Sequence, residues 1–260
     1  MKSVIRTATI ILFFIACFEV KAIAAKAIDV KEMADICMYS ERLLKDYALV
    51  GMNVTYGDPA KDLIKNAKIV NQYLADIESH HLDAALDKEV KEIHRLWSKI
   101  EIKLLKTPDK SSMLALRHDV EIMVKKCEIV AEHLAKSTGN AAEHDVVLIA
   151  ELGMESQRLG ALYMLKAWGV DDDKYEEEVA EIIKEFKDIE NELLNANEKL
   201  VSAEVKKQIK SMDNHFRVLS VLAQTAGKTG RFAPTRFERS TSKVFNEIRE
   251  ILELERHNVE

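Results

Sequence analysis

One stretch of the chain occurs twice. Cys37 to Val54 reads CMYSERLLKDYALVGMNV and Gly153 to Val170 reads GMESQRLGALYMLKAWGV. A shift of 116 positions superposes Met38 on Met154, Ser40 on Ser156, Arg42 on Arg158, Leu43 on Leu159, Tyr47 on Tyr163, Leu49 on Leu165 and Val54 on Val170. Self-similarity at a fixed period constrains the fold more than any local propensity does. It predicts two copies of a unit somewhat over a hundred residues long.

The segments around each copy carry helical periodicity. In the first half, apolar residues recur at helical spacing over Ile28 to about Gly51, from Leu63 to Ile77, from Leu86 to Leu104 and from Leu116 to Leu134. Asp58-Pro59 is a helix start, Thr107-Pro108-Asp109 a break, and Ser137-Thr138-Gly139-Asn140 a stop followed by a start. The second half predicts helices near 141–168, 172–196, 202–225 and 236–257, the second of them opening on Asp171-Asp172-Asp173. A shift of 119 brings Phe216 onto Trp97, which carries the similarity into the third helix of each half. Three prolines, eight glycines and 32% charged residues fit the same picture. The expected architecture is all-α, with two tandem antiparallel four-helix bundles over 25–138 and 139–260. Gly139 favours a turn between the halves over one continuous helix.

The first 24 residues read as an export signal. Lys2 and Arg6 supply a positive start, Thr9 to Phe18 an apolar core and Ala22-Ile23-Ala24 a cleavage site. Phe14-Ile15-Ala16-Cys17 offers an alternative, an imperfect lipobox with Cys17 as the anchored residue. Either way a periplasmic location is expected. The four charges of this segment sum to +2, so its removal takes the net charge from −6 to −8. An acidic chain without a basic stripe argues against a nucleic-acid partner. Cys37 and Cys127 could pair in an oxidising compartment. Packed helix axes lie farther apart than a disulfide readily spans, which favours two buried free thiols.

On a helical projection, Ser40, Leu43 and Tyr47 share a stripe with Cys37 and Leu44 and face their own bundle. Met38, Arg42 and Leu49 fall on the opposite side, as do Met154, Arg158 and Leu165 in the second copy. A Met-Arg-Leu stripe on an outer face is what a helix needs when it has a second partner. Asp46 is an intrahelical partner for Arg42, but the matching position beside Arg158 is Leu162. If the two first helices pack on each other, the two arginines approach. They then require a counter-charge, either Glu41 and Glu155 or a bound anion.

The repeated stretch resembles the signature of the sensory domain shared by type IV pili methyl-accepting chemotaxis transducers and NarX-type nitrate/nitrite sensor kinases. Met154-Glu155-Ser156-Gln157-Arg158-Leu159, with Tyr163 and Trp168-Gly169-Val170, is the closer match, and Met38 to Tyr47 the looser one. The resemblance implies an extracytoplasmic ligand-sensing bundle, with small anions recognised at a seam between first helices. Arg42, Arg158, Met38, Met154, Ser40 and Ser156 are the ligand-binding candidates on this reading. The first arginine of the family's box is replaced by Cys37 and by Gly153, which counts against nitrate itself.

Enzymatic patterns are weak. Gly227-Lys228-Thr229 lacks the upstream glycine of a phosphate-binding loop, since Leu222 stands there. Glu78-Ser79-His80-His81 is a single Glu-x-x-His at a helix end, where a carboxylate-bridged metal bundle requires two. No haem-attachment motif is present, and no metal or cofactor is expected. His94, His133 and His215 read as hydrogen-bonded structure, Trp97, Trp168 and Phe216 as core, and Glu176-Glu177-Glu178 as a solvated helix start. The expectation is a non-enzymatic sensory or ligand-binding protein that reports to a membrane receptor or sensor. The alternative is a ligand-free scaffold whose outer stripe joins halves or pairs the chain as a homodimer.

Overall fold

The computed structural model describes residues 25–170 and 173–259. The segment read as an export signal, with Cys17, and the Asp171-Asp172 pair lie outside the described residues. The chain is all-α: α1 (Ala27–Gly51), α2 (Pro59–Ser79), α3 (Ala84–Leu104), a short 3-10 turn (Lys110–Ser112), α4 (Met113–Thr138), α5 (Ala142–Trp168), α6 (Tyr175–Asn195), α7 (Ala203–Thr229) and α8 (Pro234–Val259). Among the described residues no helix is long and apolar enough to cross a membrane.

Local chemistry sets most boundaries. Asp58 caps α2 by accepting from Lys61 N, with Pro59 at the first helical position. Gly139 ends α4 at φ 72°, a left-handed conformation that costs glycine little. The chain turns there, and α5 runs back beside α4, where His144 Nδ1 lies 2.7 Å from Glu132. Two boundaries differ from the sequence reading. Helix α6 starts at Tyr175, after the acidic triplet, and α7 continues through Gly227-Lys228-Thr229 to end at Gly230. Gly227 lies inside that helix under the Tyr175 ring, where an added Cβ would stand 3.0 Å from Tyr175 Cε1.

Each half has the same neighbour pattern. Helix α1 packs on α2 and α4, with α3 against both; α5 packs on α6 and α8, with α7 closing the set. The most extensive contact of all joins the halves, between α1 and α5. Met38 touches Gly153, Lys45 touches Gly160 and Trp168 covers Gly51, so the two helices run parallel with nearly the register of the sequence repeat. Trp168 is thus only half-buried, at the end of this seam, whereas Trp97 and Phe216 are core. Every residue of α1 from Asp29 to Leu49 is buried. In α5 only His144, Glu151 and Arg158 escape burial between Ala142 and Leu165.

The two faces of the repeated stretch separate as the projection requires. Tyr47 donates to Thr107 O and accepts from Asp109 N, while Tyr163 accepts from Ala233 N. Each tyrosine therefore holds the connection between the third and fourth helices of its own half. On the other face, Met38 meets α5 where a Cβ on Gly153 would lie 2.5 Å from Met38 Sδ and 2.8 Å from Ile248. A side chain at Gly153 would have to displace Met38 or Ile248.

Cys37 and Cys127 are free and buried against one another, and burial raises the Cys37 thiol well above its usual range. Both thiols should therefore resist alkylation until the protein unfolds, which peptide mapping after labelling with and without denaturant checks. Gly153→Ala should destabilise the fold by roughly 1–3 kcal/mol, the usual cost of overpacking a filled contact, read from the midpoint of urea unfolding.

Candidate functional site

The α1–α5 seam has two flanks, and they differ. On the flank bounded by α2 and α8 the space is filled. Arg42 Nη2 donates to Asp62 at 3.1 Å, its Nε lies 3.8 Å from Asp46, and its guanidinium sits 4.2 Å above the Phe245 ring. Lys45, fully buried, reaches across to Glu238 at 2.5 Å. Burial alone would raise the Glu238 carboxyl, but the Lys45 charge and hydrogen bond carry it below its ordinary value.

The flank bounded by α4 and α6 is open. A cleft of about 610 Å³ lies there, within the size range of small-molecule sites. Nine of its fifteen lining residues are carboxylates and three are basic. Helix α5 contributes Arg158, which pairs with Glu185 of α6 at 2.8 Å and with Glu155 at 3.4 Å. Helix α4 contributes Arg117, paired with Glu121 at 2.7 Å and with Glu178. Met154, Val124 and Ile189 are its apolar lining residues.

Glu41 of α1 lines this cleft and is only 3% exposed, yet it has no hydrogen-bond or ion-pair partner among the described residues. Burial pushes its carboxyl up to about 7, a rise moderated by Arg158 and Arg117 and reinforced by Glu121 and Glu128. Burial takes Glu155 to about 8, against the pull of Arg158, and Glu151 to about 7, with Glu128 adding to the rise. The position matching Glu41 in the repeat is Gln157, sealed by hydrogen bonds to Ser156 Oγ and Thr241 O.

Of the six sequence candidates, Met154 and Arg158 line the cleft. Arg42 belongs to the filled flank, and Met38 is consumed by the contact with α5. Ser40 and Ser156 donate to the backbone of their own helix, at Ile36 O and Gly153 O. The expected approach of the two arginines is corrected: packed parallel, the helices direct Arg42 and Arg158 to opposite flanks, where they share no partner. Glu155 is the counter-charge of Arg158, as the sequence suggested, but Glu185 joins it from another helix. The sequence reading missed Glu185 and Glu181; their spacing from Glu178 on one side of α6 was the available signal.

Metal and histidine chemistry finds no constellation here. Among the described residues no group of three or more His, Cys, Asp or Glu side chains is placed to hold a metal ion. Glu78 pairs with His94 Nδ1 at 2.8 Å. His133 lies beside Glu89 and His215 beside Glu247, as structural histidines do.

Glu41, Glu151 and Glu155 bind their protons more tightly folded than unfolded, so the stability they confer is complete below the ordinary carboxylate range. It is lost as pH rises toward 8. The melting temperature should therefore fall between pH 6 and 8.5, and Glu41→Gln should flatten that fall, as a thermal-unfolding series in matched buffers would reveal. No protein-family model matches the sequence, and comparison with curated proteins and with solved structures yields no match.

Proposed function

We propose that this chain is an exported, non-enzymatic ligand-binding protein of sensory type, formed by two antiparallel four-helix bundles in tandem. Its two first helices stand side by side in one polypeptide, as first helices do between subunits of the sensory domains it resembles. The observation that supports this reading is the seam itself. Parallel α1 and α5 are buried together, and an open cleft beside them draws its walls from α1 and α4 of one half and α5 and α6 of the other. An occupant there touches both halves at once, so its binding free energy is coupled to how they pack.

The cleft favours a cation over the small anion expected from the family. The two arginines of the cleft, Arg117 and Arg158, are already paired with carboxylates, and an anion would enter a site with six more acidic than basic groups. Occupancy would reach a membrane receptor through the outer helices. The second reading, a ligand-free scaffold, draws on the filled flank, where buried ion pairs join α1 to α2 and α8 and leave no space for a ligand.

Thermal shift measurements with sodium nitrate, sodium nitrite, sodium acetate, magnesium chloride and spermidine separate the two. Ligand binding requires at least one of them to raise the melting temperature in a saturable way, since a ligand selective for the folded state stabilises it by mass action. A flat response to the whole panel supports the scaffold.

A further inference from the structure

The cleft's carboxylates are arranged in rows. On α6, Glu178, Glu181, Glu185 and Asp188 succeed one another about 4.5, 6 and 4.5 Å apart along the helix axis. On α4, Glu121 and Glu128 stand two turns apart, and on α5 Glu151 and Glu155 stand one turn apart. Because α4 and α6 run parallel, these rows line up along the length of the cleft. Met154, Val124 and Ile189 supply apolar contact between the rows. Beside them Glu41 lines the same space, buried and with no hydrogen bond or ion pair of its own, although the Arg158 and Arg117 charges act on it.

We infer that the cleft binds a linear aliphatic polyamine, whose ammonium groups pair with the carboxylate rows and whose methylenes rest on Met154, Val124 and Ile189. Resting on the ligand-binding reading above, this assigns the ligand class for that site. A buried carboxylate with no hydrogen bond or ion pair in contact costs free energy, and an incoming ammonium supplies the close charge and the donors it lacks. A compact metal ion fits less well, because the carboxylates are spread along the cleft and do not converge on one point. A chain of amines separated by three or four methylenes matches a spread of acids at helical-turn spacing. Arg158 and Arg117 hold Glu185, Glu155, Glu121 and Glu178 in place, and Glu41 is left to meet the ligand.

The charged groups that act on Glu41 come from two helices, Arg117, Glu121 and Glu128 on α4 and Glu155 and Arg158 on α5, while Glu185 of α6 lines the same cleft. Binding an ammonium among them favours the ionised carboxylates, so association releases protons near neutral pH and weakens on acidification.

Isothermal titration calorimetry of the protein with spermidine, at low salt and pH 8, is the direct test. Saturable binding is expected, with an affinity that falls at least ~10-fold in Glu41→Gln, the loss of one charge-assisted contact. It should fall again at pH 5.5, with a heat at pH 7.5 that changes with the ionisation enthalpy of the buffer. Glu41→Gln replaces a carboxylate by its isosteric amide, and its helical circular dichroism should match the parent protein. Lys125→Ala, on the cleft rim, should bind at least as tightly as the parent. No saturable heat with spermidine, or equal affinity in Glu41→Gln, overturns the proposal. Tighter binding of magnesium than of spermidine overturns it too, in favour of an inorganic cation. Saturable nitrate binding without spermidine binding refutes the polyamine assignment while leaving the ligand-binding reading standing; silence from every probe removes both.

Discussion

The approach of α1 to α5 at Gly153 sets the terms for the remaining architecture. With Met38 Sδ lying where a Cβ would otherwise stand, the two backbones come close enough to bury α1 on every side. A helix that reads as amphipathic then has no water-facing surface, and its charged residues must find partners inside. Lys31 pairs with Glu253 of α8 at 3.2 Å, Lys45 with Glu238, and Arg42 with Asp62. Pairs of this kind contribute little net stability, and they punish any packing that separates them. They thereby select one register of α1 against its neighbours.

That same parallel packing explains why the flanks of the seam diverge although the helices are copies. Phe245 and the Lys45–Glu238 pair fill the space beside α8, whereas the corresponding space beside α4 holds no aromatic ring and no crossing lysine. Position 161, which matches Lys45 in the repeat, is alanine, and Gln157 takes the place of Glu41. The two copies are alike in sequence, and where they differ one face is filled and the other is open and acidic. Raised carboxyls are the electrostatic mark of that opening: Glu41 and Glu155 are buried by the seam, but only their cleft side meets other charges.

Particular residues show how far the site was legible beforehand. Met154 and Arg158 were identified because the repeat preserves them, and Glu155 because a buried guanidinium demands a carboxylate nearby. Glu185 was not, since its pairing with Arg158 crosses from α6 to α5 and no local pattern encodes that distance. Ser40 and Ser156 misled for the opposite reason. They are preserved in both copies, but a serine within a helix readily returns its hydroxyl to the carbonyl three or four residues before it. Repetition marks a shared structural need as readily as a shared ligand.

By itself the sequence determined the all-α class, the eight helices of the described residues to within a few positions, the turn at Gly139 and the two opposed faces of the repeated stretch. These follow from period, capping and turn chemistry, all of which act over a few residues. Tertiary structure alone decided that α1 and α5 run parallel in contact, that Arg42 and Arg158 part to opposite flanks, and that one flank remains an open acidic cleft. Those outcomes depend on which side chains fill a common volume, a property of residues far apart in the chain that no local pattern records.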